Sequence, residues 1–326
     1  PGWNDLSTGR LPEKTDTPNL NICSFDIECY SQSRAFPDPS KPSDCVTMIA
    51  MSFQRLHGGP IHNHVLSLDA TSFTEGSTVV EQFQTEEELL QRFAQVVSER
   101  DPDVLTGYNI DNFDMHYIDA RLQDKTVFYQ TLSRYPDMTA KLHAKMFRSK
   151  QKGEIKTSRW QIPGRFCIDL LPLVRAHNAT LKYDKKYKSC KLDDVCKQEL
   201  NGASKTGFTY EDIFRAHETK DNAQNRKLVE YNIQDCILVL QLQSKLQFIL
   251  TALQMSEISF TPIDDVLHCG VTARITNLLS RTVHAAGYYF NQSMVTEETD
   301  AKPFQGAHCF PVVKAIHEKP ILGVDF

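Results

Sequence analysis

The stretch Asn21-Ile22-Cys23-Ser24-Phe25-Asp26-Ile27-Glu28-Cys29 combines a strand pattern with two carboxylates. Apolar residues such as Phe25 and Ile27 occupy one set of alternate positions, whereas Asp26 and Glu28 share the other, and this period of two is typical of a β-strand. The two acids then lie on one face, about 6–7 Å apart along the strand. Because like charges repel at that spacing unless a cation lies between them, the pair is a candidate site for Mg²⁺ or Mn²⁺.

The sequence around this strand predicts a sheet covered by helices. Apolar runs at residues 46–53 and 61–68 predict two more strands, and the short loops between the three favour an antiparallel meander. Residues 85–88 fit a capping box that begins a helix, which Asp101-Pro102 ends. Further strands are predicted at residues 104–108 and 166–170. Strands alternating with helices indicate a mixed α/β sheet.

Two more acidic motifs follow along the chain. Residues 107–114 close a strand and open a helix, which places Asp114 in the first helical turn, where the helix dipole favours a carboxylate. The alternative is that Asp114 and its polar neighbours only cap that helix. A long helix beginning near Asn222 carries Tyr231 and Asp235 on its apolar face, at i and i+4. A buried carboxylate requires a metal or another cation, whereas the alternative for Tyr231 is a core aromatic.

In order, Phe25-Asp26-Ile27-Glu28, Asn109-x-x-x-Phe113-Asp114 and Tyr231-x-x-x-Asp235 resemble the three exonuclease motifs of family B DNA polymerases. Within that family the resemblance is to the delta-type replicative branch and its relatives in large DNA viruses, and it extends from about residue 20 to the end. It implies a ribonuclease H-like 3′–5′ exonuclease domain that proofreads within a DNA-directed DNA polymerase.

The resemblance also implies roles for individual residues. Asp26, Glu28, Asp114 and Asp235 would hold two divalent metal ions, Mg²⁺ or Mn²⁺, and Tyr231 would orient the attacking water. Toward the end of the chain, Phe304-Gln305-Gly306-Ala307 resembles the link between exonuclease and polymerase, and Asp325 resembles a ligand of an incomplete polymerase metal site. Two residues depart from the family pattern: Phe304 replaces a tyrosine, and Cys190 stands where relatives have an aromatic residue.

A basic block runs from Lys141 to Lys191, with fourteen Lys and Arg against three acids in a chain of net charge −5. Such a block is a candidate phosphate-contact surface, although a solvated charged face is the alternative. The resemblance places a strand-separating β-hairpin over residues 147–162. The predicted DNA contacts are Asn109, Phe113, Lys150, Lys152, Lys156, Arg159, Lys188, Lys191, Phe304 and Gly306.

The expected organisation is a connector from an N-terminal domain (residues 1–20), the exonuclease domain (21–250), and a helical linker with the beginning of a truncated polymerase palm (251–326). No apolar run reaches ~18–20 residues, so no membrane span is predicted. Nine cysteines, an odd number without a CxxC pair, favour reduced thiols in an intracellular protein.

The resemblance narrows the expected location to the nucleus for a cellular protein, or to the replication site for a viral one. The expected partners are single-stranded 3′ ends and primer–template DNA, with accessory subunits or a sliding clamp engaging parts outside this sequence. Two other functions remain open, namely an inactive exonuclease scaffold that only binds DNA or partners, and a free-standing RNA or DNA exonuclease. The four carboxylates with Tyr231 argue against the first, and the link motif argues against the second.

Overall fold

A computed structural model describes residues 16–149, 153–203 and 207–288, without the side chains of residues 144–157. The chain divides into two compact units, residues 1–278 and 279–326. The link motif with Phe304 and Gly306, the polymerase-motif acid Asp325, and Lys150 and Lys152 lie outside the described residues. The domain boundary expected at residue 250 stays a prediction.

Nine strands occur in the described residues, and seven of them form one mixed sheet in the order β4-β5-β3-β2-β1-β6-β9. Strands β1, β2 and β3 make the antiparallel meander that the apolar runs predicted. Beyond β1, strands β6 and β9 extend the sheet by parallel pairing. The strands are β1 (Asn21–Tyr30), β2 (Cys45–Arg55), β3 (His62–Ser67), β4 (Phe73–Glu75), β5 (Thr78–Gln82), β6 (Val104–Gly107), β7 (Lys141–Ser149), β8 (Gly153–Gln161) and β9 (Phe166–Asp169).

Strands β7 and β8 pair with each other as a separate antiparallel hairpin, whose register runs from Lys141 opposite Gln161 to Ser149 opposite Gly153. The hairpin expected between the second and third acidic motifs is therefore confirmed. Its strands are longer than the stretch from which it was predicted, because pairing begins at Lys141, ahead of residue 147.

Ten helices occur in the described residues. They are α1 (Glu86–Arg100), α2 (Asp114–Arg121), α3 (Lys125–Leu132), α4 (Leu170–Thr180), α5 (Leu192–Glu199), α6 (Tyr210–Thr219), α7 (Asn222–Leu246), α8 (Phe248–Ser259), α9 (Ile263–His268) and α10 (Val271–Ala285). The capping box at Thr85 and Glu88 is present as predicted, with each side chain bonded to the other residue's backbone N–H. Among the described residues, no single helix is both long enough and apolar enough to span a membrane; α7 and α8 meet both conditions only as a pair, which is bent by 45°.

The two faces of β1 pack against different helices. Its apolar face, which carries Phe25 and Ile27, joins the core formed with α1, α2 and α3. The opposite face lies toward α7, whose residues Leu238 and Val239 pack with Ile22. Because Asp26 and Glu28 share that second face, the alternation along β1 points both acids at the helix that carries the third acidic motif.

Candidate active site

Three carboxylates from two elements meet where β1 faces α7. The ligand oxygens of Asp26, Glu28 and Asp235 all lie within 4.8 Å of one another. Glu28 is 9% exposed and Asp235 only 2% exposed. Three like charges at this distance, two of them buried, repel unless a cation neutralises them, and carboxylate oxygens are the ligands that hard divalent cations prefer. The donor set therefore fits a divalent metal centre, at the position that the sequence motifs indicated.

Asp114, the fourth predicted ligand, lies beside this group and is not one of its three members. It begins α2, is 2% exposed, and accepts a hydrogen bond of 3.1 Å from the backbone N–H of Ile27, the residue between the two β1 acids. Burial, and then the charge of Asp26, raise the pKa of Asp114 well above its usual range. A cation bound at the three carboxylates would oppose that shift, so Asp114 is electrostatically coupled to the site.

The loop from β6 to α2 reaches the site because Gly107 has no side chain. A Cβ there would lie 2.4 Å from the Ile110 side chain and 2.8 Å from the Phe25 carbonyl oxygen. Asn109 follows in the left-handed region, at a φ of 71°. Its N–H donates to Asp169 over 2.8 Å, in a turn that a larger residue at position 107 would push away from β1.

Asp169 holds this loop in place from the end of β9. Its carboxylate accepts backbone hydrogen bonds from Asn109, Asp111 and Leu171, at 2.8, 3.3 and 2.9 Å. All three donors are backbone N–H groups, whereas the side chain of Arg165, four residues before Asp169, pairs with Asp101. Asp169 therefore shapes the site without being one of the three clustered carboxylates.

Tyr231 lies one helical turn before Asp235 on α7 and is 9% exposed. Its ring packs 5.5 Å from that of Phe208. The packing expected of a core aromatic is thus present, but packing of the ring does not determine what the hydroxyl does. The water-orienting role of Tyr231 stays a prediction.

A cleft of about 810 Å³ opens over Asp26. Several wall residues were not predicted from the sequence, among them Arg175 and Phe36. The ring of Phe36 is 77% exposed and lies 5.2 Å from the ring of Phe113. The only available signal was an aromatic residue in the proline-rich loop that follows Glu28. The residues lining the cleft are Asp26, Phe36, Tyr108, Asn109, Leu171, Arg175, Cys190, Lys191, Leu192 and Asp193.

The lining of the cleft also includes Cys190, one of the positions that depart from the family pattern. The carbonyl of Cys190 accepts a 2.7 Å hydrogen bond from the Tyr108 hydroxyl, so the backbone at Cys190 is tied to the end of β6. Lys191 lines the cleft and is exposed. Lys188, three residues earlier in the chain, is also exposed. Tyr187, an aromatic residue within the basic block, is buried, and its hydroxyl donates a hydrogen bond to Glu199, so it belongs to the core.

The other predicted DNA contacts have different surroundings. Lys156 lies in β8, where only its backbone is described. Arg159, on the same strand, is paired with Asp264 of α9 at 2.9 Å. The eight cysteines among the described residues are free thiols, which agrees with the expectation of reduced cysteines.

The sequence profile of the DNA polymerase family B exonuclease domain matches residues 5–195, more than half of the chain. The chain belongs to this family. It is similar to the DNA polymerase delta catalytic subunits of Schizosaccharomyces pombe (30% identity over 94% of this chain and 27% of the relative), Plasmodium falciparum (30%, 96% and 28%) and Bos taurus (26%, 94% and 27%). The chain spans little more than a quarter of the length of these relatives.

The matches confirm the predicted family, its delta-type branch and the α/β fold class. They also confirm that residues 5–195 carry the exonuclease domain of family B DNA polymerases. The profile covers the first two acidic motifs, and the third lies beyond it on α7, within the region that the delta subunits share. The assignment of individual site residues stays a prediction from their motifs and geometry.

Proposed function

We propose that this domain removes nucleotides from the 3′ end of DNA by hydrolysing the terminal phosphodiester, with two Mg²⁺ or Mn²⁺ ions held by Asp26, Glu28 and Asp235. The observation that carries the proposal is the group of three carboxylates whose oxygens lie within 4.8 Å, beside an open cleft. When bound, such metal ions lower the pKa of a water molecule and stabilise the leaving 3′ oxygen. The products would be a deoxynucleoside monophosphate and a DNA strand one nucleotide shorter.

The remaining site residues have supporting roles in this proposal. Asp114, fixed by the Ile27 N–H, is the fourth ligand group, and it becomes a better ligand once a cation opposes the rise in its pKa. Tyr231 positions the attacking water through its hydroxyl. A free tyrosine has a pKa of ~10 and is a poor base at neutral pH, so orientation is the role that its chemistry supports.

The cleft suits one strand of DNA with a free 3′ end. Arg175 and Lys191 on its walls supply positive charge for phosphates. The exposed ring of Phe36, supported by Phe113, offers a face on which a terminal base can stack, and base–aromatic stacking is worth about 1–3 kcal/mol per base. The hairpin of β7 and β8 carries part of the basic block toward the same DNA.

The proposed exonuclease activity belongs to a domain of a larger protein. We propose that the domain proofreads for a DNA-directed DNA polymerase, to which Asp325 contributes a metal ligand and in which Phe304 and Gly306 contact DNA. Primer–template DNA is the proposed substrate of the whole, with accessory subunits or a sliding clamp as partners. The proposed location is the nucleus in a cell, or the replication site of a virus.

The decisive experiment is a timed digestion of 5′-labelled single-stranded DNA by the purified protein, with Mg²⁺ and with a chelator. We expect a ladder of products that shorten one nucleotide at a time from the 3′ end, only with the metal. Asp26→Ala should abolish the ladder, whereas Asp137→Ala, at an exposed position away from the site, should not. A protein that binds the DNA without shortening it would support the inactive scaffold instead.

A further inference from the structure

Arg159 lies at the base of the β7–β8 hairpin and makes a two-pronged ion pair with α9. Its two terminal nitrogens donate to the two carboxylate oxygens of Asp264, at 2.9 and 3.0 Å. The same guanidinium contacts the Nδ1 of His268, one turn further along α9. The arginine side chain is 19% exposed, so most of it is withdrawn from solvent. Paired donors of this kind fix direction as well as distance.

The next residue of β8 packs in the opposite direction, into the core behind the carboxylates. Trp160 is 1% exposed and stacks on Phe25, with ring centroids 6.0 Å apart and planes 9° from parallel. Its backbone N–H donates to the Met115 sulfur over 3.4 Å. Phe25 precedes Asp26 on β1, and Met115 follows Asp114 on α2, so this part of β8 contacts the two elements that carry those acids.

We propose that Arg159 is a positioning residue that clamps the hairpin base between α9 and the exonuclease core, and that it does not contact DNA phosphate. This inference rests on the proposed function. The alternation of side chains along β8 sends Arg159 to α9 and Trp160 to the core. A strand held on both sides at its base has its direction fixed, and the hairpin above it then approaches DNA from one defined side.

The surroundings of Asp264 support a permanent pair. The hydrogen bonds from His268 and Arg159 hold the pKa of Asp264 well below its usual range. The acid therefore stays charged, and Arg159 would have to give up a bidentate carboxylate to reach a phosphate. The sequence shows only that Arg159 is basic, because its partner Asp264 is 105 residues away in the chain. For that reason Arg159 was predicted to contact DNA.

The experiment measures the digestion rates of Arg159→Gln, Asp264→Asn and the double variant, with Arg215→Gln as the control. Each variant is tested on single-stranded DNA and on DNA with a paired 3′ end. Arg215 is a half-exposed arginine on α6 with one loose ion pair of 3.9 Å. If Arg159 is a clamp, either single variant should slow digestion of the paired end by about 2- to 30-fold relative to single-stranded DNA. The double variant should be no worse than either single one, because both remove the same interaction.

The salt dependence of single-strand binding separates the two roles of Arg159. A clamp leaves the slope of log K against log salt unchanged in all variants. A phosphate contact predicts a slope smaller by about 0.7 in Arg159→Gln, and tighter binding in Asp264→Asn, which frees the arginine. Either of those two results would overturn the proposal, as would additive losses in the double variant. Failure of the unaltered protein to digest single-stranded DNA would instead contradict the proposed function.

Discussion

Replacing Asp235 with asparagine should stabilise the metal-free protein while destroying its activity. The change keeps the shape of the side chain and removes one of three negative charges whose oxygens lie within 4.8 Å. In the absence of a cation those charges repel, so their arrangement is maintained at a cost to the stability of the fold. The same arrangement is what holds the metal, so stability and activity should move in opposite directions.

The size of the effect follows from the spacing. Two unit charges 4.8 Å apart repel by about 3.5 kcal/mol at an effective dielectric constant of about 20. Bound protons and counter-ions already relieve part of this repulsion, so we expect Asp235→Asn to gain about 1–3 kcal/mol in chelator. For a domain of this size, each kcal/mol shifts the melting temperature by about 2–4 °C. The expected rise is therefore about 2–12 °C.

Thermal unfolding in chelator and in Mg²⁺, together with digestion of single-stranded DNA, tests this reasoning. Mg²⁺ at 100 times its dissociation constant should stabilise the unaltered protein by about 2.7 kcal/mol, and Asp235→Asn much less. Asp137→Asn, at an exposed position, should change neither the melting temperature nor the response to metal. The reasoning is refuted if Asp235→Asn melts below the unaltered protein in chelator, or if it digests DNA at the unaltered rate.

Three further outcomes are expected. Tyr231→Phe keeps the ring against Phe208 and removes only the hydroxyl. The single-turnover cleavage rate should fall by about 10²-fold or less, and metal binding should be retained. An unchanged rate would mean that Tyr231 is only a core aromatic residue. Neutralising Lys150, Lys152 and Lys156 together should make the slope of log K against log salt for single-strand binding smaller by about 0.7 per lost phosphate contact. An unchanged slope would favour a solvated charged face. Burial and the charge of Asp169 raise the pKa of Asp111 to about 7, so the stabilising contribution of this group is present below about pH 4 and is lost as the pH rises to about 7. Asp111→Asn should therefore flatten the urea-unfolding stability between about pH 4 and 7, and a parallel loss in both proteins would contradict this.

Short sequence patterns alone predicted several of the secondary-structure elements of this protein. The alternation around Asp26 predicted β1 and the shared face of its two acids, and the capping box at Thr85 predicted where α1 begins. These features depend on neighbours within four residues, and the sequence displays such neighbours directly. The short strands β4 and β5 were missed because each has too few residues to show a period.

Only the tertiary structure decided which charged groups face one another. Arg159 and Tyr187 look like DNA-binding residues within a basic stretch, yet Asp264 pairs with the first and Glu199 with the second. Asp114 carries the right motif, but the fold places its carboxylate on the Ile27 N–H, beside the three clustered acids. The sequence thus indicated which acids to expect at the site, because each motif is local. How those acids and cations pair depends on contacts between residues far apart in the chain, since charge–charge energies are set by distance and burial in the folded protein.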